Sequence, residues 1–224
     1  RPKRLHGGGM RPASLTLFLL AALAASGCKQ HQISMQPGAR TFTPESYARV
    51  WEAWTRDKES FAWKELAHEI FVSATFESWE FRWAYVVRYA YDYSLEPDAR
   101  DEMLQASLAS SRQEHRFFVT LSGMDFKESN LAGKTSAWRV LLIDPEGRQT
   151  VPLLIERVRR PTAVDRVYFP QVSPYRQTFR LTFPAVDADG RKTIPDDAES
   201  IILRFTGARG RADLRWRLRP AQTG

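Results

Sequence analysis

The sequence predicts a mainly β protein of the α+β class, an antiparallel sandwich with an N-terminal helix and an inserted helical hairpin. Between residues 115 and 219, apolar residues alternate with polar ones in six or more short segments separated by turn residues. Two earlier segments, 43–56 and 78–112, have their apolar residues at helical spacing instead. Hydrophobic residues make up 43% of the chain, which is enough material for a core.

The first 27 residues have the pattern of an export leader. The sequence does not begin with Met, and we expect Met10 to be the start, followed by the basic Arg11 and an apolar run over residues 15–25. At 1.5 Å per residue, about 11 residues cannot cross a hydrocarbon layer of about 30 Å. The run is therefore expected to be the apolar part of a signal peptide rather than a permanent span.

Small residues precede the one cysteine of the chain, in the order Ala25-Ser26-Gly27-Cys28. This stretch resembles the lipobox of bacterial lipoproteins, although leucine is commoner than alanine at the position of Ala25. The resemblance implies cleavage between Gly27 and Cys28, lipidation of Cys28 and anchoring to an envelope membrane. Lys29 stands where Asp retains lipoproteins at the inner membrane, so the resemblance implies the outer membrane. The alternative is ordinary secretion with an incidental cysteine.

The leader sets the expected domain boundaries. Residues 28–42 are polar and aperiodic, with Pro37 and Gly38, and predict a lipidated tether. A single folded domain is expected over 43–219, with a tail at 220–224. Because Cys28 is the only cysteine, no intramolecular disulfide is possible and core burial must stabilise the domain.

The helical segments come first in the expected domain. Thr43-Pro44-Glu45 predicts a helix start, and the next residues carry an apolar stripe. Residues 66–76 alternate as in a strand. Residues 79–93 fit either periodicity, but fifteen residues is long for a strand and Ser78 is a suitable N-cap, so we predict a helix. Glu96-Pro97-Asp98 begins a second helix that completes the hairpin near 78–112.

The rest of the chain predicts strands. Asp144-Pro145-Glu146-Gly147 has the composition of a hairpin turn between two of them. The alternation resembles that of immunoglobulin-like sandwiches found in uncharacterised exported bacterial proteins, a similarity of pattern without a signature motif. The strands are predicted at 116–121, 138–143, 151–158, 179–183, 201–205 and 214–218.

Charge and motifs exclude several function classes. The formal charge of +7 falls to +3 once the four leader bases are removed, which leaves 29 basic and 26 acidic residues, so nucleic acid is not an expected partner. The sequence lacks the metalloprotease, nucleophile-elbow and phosphate-loop motifs. His68 and His115 are isolated. Asp187-Ala188-Asp189-Gly190 begins like a calcium loop, but Arg191 occupies a ligand position. No cofactor, metal or catalytic residue is expected.

Arginines are concentrated in the second half of the chain. Residues 139–219 hold 16 basic and 10 acidic residues. A solvated sheet face that resists edge pairing explains such a pattern, and contact with anionic lipid, an acidic envelope protein or a cell-wall polymer is the functional alternative. The candidate patch for an anionic partner consists of Arg157, Arg159, Arg160, Arg204, Arg215 and Arg217.

These observations favour a membrane-anchored envelope lipoprotein whose domain is a non-catalytic binding or scaffolding module. Two alternatives remain open. A glycan hydrolase would need two carboxyls about 5–10 Å apart in a cleft. A carrier of small apolar ligands would need a cavity of several hundred Å³, with the aromatic residues of 79–93 as its lining.

Overall fold

The computed structural model describes residues 33–62, 67–123, 125–127, 129–208 and 210–219, with the backbone alone at 61–62 and 67–69. The predicted leader, Gly27, Cys28 and the tail lie outside the described residues. The strands are β1 (Ile33–Ser34), β2 (Thr55–Ala62), β3 (Ala67–Phe76), β4 (Glu114–Gly123), β5 (Arg139–Ile143), β6 (Gln149–Thr150), β7 (Leu154–Val158), β8 (Gln177–Pro184), β9 (Ser200–Gly207) and β10 (Gly210–Arg219). The helices are α1 (Ser46–Trp54), α2 (Trp79–Asp92), α3 (Pro97–Gln113) and α4 (Ala163–Tyr168).

The strands form two five-stranded sheets. Sheet I has the order β1-β10-β9-β5-β6 and sheet II the order β2-β3-β4-β8-β7. Neighbouring strands are antiparallel except β1 and β10, where Ile33 lies parallel beside Leu218. The mainly β sandwich with helices is thus confirmed. Immunoglobulin-type connectivity is not: β2, β3 and β4 lie side by side in one sheet, whereas the third strand of an immunoglobulin sandwich lies in the opposite sheet.

Alternation along the strands selects the side chains of the core. On β10, Leu214 and Trp216 are buried while Arg215 and Arg217 are exposed. On β4, Phe117 enters the core between the sheets, and Phe118 on the other face is also fully buried. The ring of Phe118 stacks on Phe169 at 3.8 Å, so sheet II is covered on its outer face as well. Each such side chain contributes about 1.5–3 kcal/mol by leaving water.

The predicted helical hairpin is present. Residues 79–93 are mostly helical, as α2, and Ser78 caps the helix by accepting a hydrogen bond from the Phe81 N–H at 3.2 Å. Pro97 stands in the first turn of α3. The two helices lie between β3 and β4 in the chain, as expected, and pack through Val86, Leu104 and Leu108.

Three elements differ from the prediction. The N-terminal helix ends at Trp54 and the chain continues directly into β2, whose mixed polar sequence gave no strand signal. The short helix α4, with Thr162 and Asp165 as its capping box, was also not predicted. The predicted strand 151–158 is divided: β6 pairs with β5 across the predicted turn, and the chain then crosses to sheet II as β7. Pro152, which has no N–H, lies at the crossing.

The folded domain begins earlier than the predicted tether allowed. Ile33 is 3% exposed and pairs with β10, and Met35 and Phe42 pack against the main core. The indole Nε1 of Trp79 donates to the carbonyl oxygen of Gly38 at 2.9 Å. Residues 33–42 are therefore part of the packed domain. Burial removes their apolar side chains from water, and this favours the packed arrangement over a free tether.

Candidate ligand cleft

A cleft of about 460 Å³ opens at the end of the sandwich where β3 and β8 end and β4 begins. This volume lies within the usual range for sites that bind small molecules. Apolar side chains from both sheets and from the N-terminal segment form much of its wall, among them Met35, Phe76, Val186, Ile194 and Leu218.

The N-terminal segment supplies one side of the cleft. After β1, Met35, Gln36 and Pro37 run along the opening. The hydrogen bond from Trp79 to Gly38 fixes this segment against the start of α2, and Trp79 itself lines the cleft. The cleft is consequently built from the first packed residues of the chain as well as from the loops of the sandwich.

Charged side chains also line the cleft, and two of its carboxylates are ion-paired. The guanidinium of Arg112 lies 5.3 Å from the Trp79 ring. Glu114 accepts a hydrogen bond from the Ser110 hydroxyl at 2.8 Å and pairs with Arg116. Lys192 donates to Asp196 at 2.5 Å. An apolar wall with a charged rim suits an amphiphilic ligand, since the rim can bind polar groups that the wall cannot.

His115 also lines this cleft, at the start of β4. Its ring meets the ring of Phe76 edge-on at 5.9 Å. Burial, together with the nearby cation of Arg82, lowers the pKa of His115 to about 4. The imidazole is therefore neutral at physiological pH and offers one donor and one acceptor nitrogen.

Arg82 is itself unusual, being 4% exposed beneath this end of the sandwich. Its Nε donates to the Glu77 carbonyl oxygen at 2.8 Å and its Nη1 to the Ser107 carbonyl oxygen at 3.0 Å. Within the described ranges Nη2 has no hydrogen-bond partner. Burial lowers the pKa of this guanidinium, and its bonds join α2 to α3 and to the residue that follows β3.

The predicted arginine patch is divided between the two sheets. Arg157, Arg159 and Arg160 lie in or just after β7, at the margin of sheet II. The other three lie on sheet I, with Arg215 and Arg217 exposed on β10. Arg204 on β9 is held by Asp213 through two hydrogen bonds of 2.7 and 2.9 Å. The six arginines therefore do not form one surface.

A shallow groove of about 680 Å³ lies along sheet I beside the turn at 144–147 and includes Arg204 and Arg215. Its buried carboxylate, Asp144, accepts hydrogen bonds from the N–H and Nε of Arg148 at 2.9 and 2.6 Å. The carboxylate therefore closes the turn.

The stretch that began like a calcium loop is a tight turn. Asp187 Oδ1 accepts hydrogen bonds from the backbone N–H groups of Asp189 and Arg191, both at 2.9 Å, and Gly190 adopts a positive φ of 79°. Throughout the ranges that the structure describes, no group of three or more His, Asp or Glu side chains is placed to hold a metal ion.

Of the aromatic residues of α2, Trp79 alone lines the cleft, whereas the carrier hypothesis predicts that the aromatic residues of 79–93 form the lining. Phe81, Tyr85, Tyr89 and Tyr93 stack in turn along one face of the helix, with centroid distances of 6.3, 5.9 and 4.3 Å. Burial raises the pKa of Tyr85 to about 12, so its phenol stays protonated at physiological pH. The stacked rings pack the helix onto the domain.

From the sequence, His115 is expected to be isolated and Trp79 to line a cavity together with the other aromatic residues of 79–93, and neither Met35 nor Arg112 is expected beside them. These residues belong to four separate segments of the chain. They meet because the fold places the ends of β1, β3, β4 and β10 at the same end of the sandwich. A partial signal existed in Met35, an apolar residue in a segment otherwise assigned to a polar tether.

Comparisons with known proteins add little. No protein-family model and no curated protein matches the chain. One solved structure, of a protein of unknown function from Burkholderia pseudomallei K96243, is 12% identical, covers 80% of this chain and 93% of its own, and has a TM-score of 0.36. A likeness at that level carries no conclusion about fold or function. In the described part of the chain no helix is long and apolar enough to cross a membrane.

Proposed function

We propose that this protein is a lipid-anchored envelope lipoprotein, in the outer membrane where there is one, whose sandwich is a non-catalytic binding module. The observation that supports this most directly is the position of Ile33. Five residues after the predicted acceptor Cys28, the chain is already a buried strand of sheet I, and the next residues line the cleft.

The anchor and the cleft are thus joined by a short connection in this proposal. Five residues, even when fully extended, span at most about 18 Å. Acyl chains on Cys28 would hold the cleft close to the headgroups, where amphiphilic molecules are concentrated. As in immunoglobulin-like binding modules, the sandwich then presents its ligand site at one end.

The apolar wall favours one specific version of this function, a carrier of small apolar or amphiphilic ligands. A volume of about 460 Å³ accommodates such a molecule. The glycan-hydrolase alternative has less support, because two of the carboxylates in the cleft, Glu114 and Asp196, are already engaged by Arg116 and Lys192.

The anchor is tested by growing cells with an alkyne-tagged palmitate. The wild-type protein should be labelled and recovered with membranes, and the Cys28→Ser variant should be neither. Unlabelled wild-type protein released into the medium would refute the lipoprotein proposal.

The cleft is tested with a naphthalene sulfonate dye that fluoresces in apolar sites. Val186→Trp places a large ring at the cleft, where Val186 is 48% exposed, and should weaken dye binding at least fivefold. Val167→Trp is the matched control, because Val167 is an exposed valine on α4 outside the cleft. Equal affinity in all three proteins would reject the cleft as the ligand site.

A further inference from the structure

The edge strand β7 of sheet II combines exposed apolar residues with a cluster of arginines. β7 pairs with β8 on one side, and no described strand lies on its other side. Such an edge presents unpaired N–H and C=O groups, which proteins normally protect with charge, proline or cover. The residues that lead into the strand are mostly apolar: Val151, Leu153 and Leu154 are 50%, 69% and 55% exposed, with Pro152 between the first two.

This apolar edge is followed by a run of positive charge. Arg157, Arg159 and Arg160 occupy three of four consecutive positions, and Glu156 is the one acid between residues 151 and 160. Glu156 lies opposite Arg180 on β8. Among the described residues none of the three arginines forms an ion pair, and Arg157 instead lies 5.3 Å from the exposed ring of Phe126.

The position of β7 keeps it away from the N-terminal segment of the described chain. β1 pairs with β10, and β2 packs against β10 beside it, so this segment lies at the β2 margin of the sandwich. β7 lies at the opposite margin, four strand spacings from β2, which is about 19 Å. A partner can approach β7 without displacing the N-terminal segment or the cleft.

From the free edge, the exposed apolar side chains and the unpaired arginines, we propose that β7 binds an extended acidic segment of another protein, which adds to sheet II as a sixth strand. Backbone hydrogen bonds to β7 supply affinity, as in other cases of strand addition. Acidic side chains of the segment face Arg159 and Arg160, and its apolar side chains cover Leu153 and Leu154.

Charge argues for this occupant over a second copy of the chain. Pairing two β7 strands would bring six arginines of like sign to one interface, which is unfavourable for association. An acidic strand pairs the same charges with opposite ones. The inference goes beyond the anchored cleft proposed above, and it requires neither lipidation nor a cleft ligand.

The test uses a fluorescein-labelled octapeptide with four consecutive valines and four consecutive glutamates, titrated with the full chain in detergent while anisotropy is measured. We expect saturable binding that weakens at least tenfold in R159E/R160E. R49E/R191E changes two exposed arginines elsewhere by the same net charge and should stay within twofold of wild type. An equal loss of affinity in both double variants would overturn the proposal, because the peptide would then be attracted by the net charge of the protein and not by β7.

Hydrogen exchange supplies the second measurement, since it reports backbone bonding directly. Peptide addition should slow exchange of those β7 amides that point away from β8, at every second residue, at least tenfold and leave β6 unchanged. Binding without protection of these amides would overturn strand addition. Protection that appears without peptide, together with a dimer in analytical ultracentrifugation, would overturn it in favour of self-pairing.

Discussion

The indole Nε1 of Trp216 donates a hydrogen bond to the backbone carbonyl oxygen of Trp54 at 2.9 Å. Both side chains are fully buried, and the bond joins the last strand of sheet I to the point where α1 passes into β2. The Trp216 ring also packs on Phe117 at 5.5 Å, between the two sheets. A single residue of β10 thus connects the N-terminal helix to the core of the sandwich.

Trp216→Phe should lower the free energy of unfolding by about 2–3 kcal/mol, because it leaves the buried Trp54 carbonyl without its donor and a void beside Phe117. Urea unfolding measures this change. Trp51→Phe is the control: its indole bonds to Gln171 at 3.2 Å in a partly exposed place, and its loss should cost less than about 1 kcal/mol. Similar values for both variants would contradict the role of the Trp216–Trp54 bond.

Ile33→Ala should cost about 2–4 kcal/mol of unfolding free energy, since Ile33 is buried against β10. Gln36→Ala, an exposed change three residues later, should stay within about 0.5 kcal/mol. Thermal and urea unfolding measure both. If Ile33→Ala is as neutral as Gln36→Ala, residues 33–42 are a tether after all.

His115 should make stability depend on pH. The unfolded state takes up a proton near pH 6.5, whereas the folded state resists it until about pH 4, so the unfolding free energy falls as pH drops through this window. Between pH 7 and pH 5 the loss from this group is about 2 kcal/mol.

The measurement is urea unfolding at several pH values, with His115→Gln as the comparison. Between pH 7 and pH 5, the unfolding free energy of the variant should fall by no more than half as much as that of the wild type. The same slope in both proteins would show that His115 titrates normally in the fold.

Gly207→Ala should destabilise the end of sheet I. A Cβ at Gly207 would lie 1.8 Å from the carbonyl oxygen of Ala137, so backbone must move, at a cost of about 1–3 kcal/mol. Gly190→Ala has open space and only its positive φ to oppose it, and should cost about 1 kcal/mol. Urea unfolding ranks the two, and a smaller cost at Gly207 would contradict the close approach.

Local signals predicted the elements that are amphipathic over a short stretch. The α2–α3 hairpin followed from Ser78, Pro97 and the apolar stripes, and the strands around Phe179, Leu203 and Trp216 followed from strict alternation. These patterns succeed because each element must bury one face whatever its neighbours are. The polar strand β2 and the six-residue helix α4 have too little pattern of their own, and packing against neighbours stabilises them.

By itself the sequence determined that the chain forms a mainly β sandwich with helices, because alternation and capping are properties of consecutive residues. Only the tertiary structure decided that Ile33 belongs to the core, that His115 and Trp79 share a cleft, and that the six arginines occupy two sheets. The physical reason is that strand order and register join residues far apart in the chain. Neither leaves a mark on the local composition.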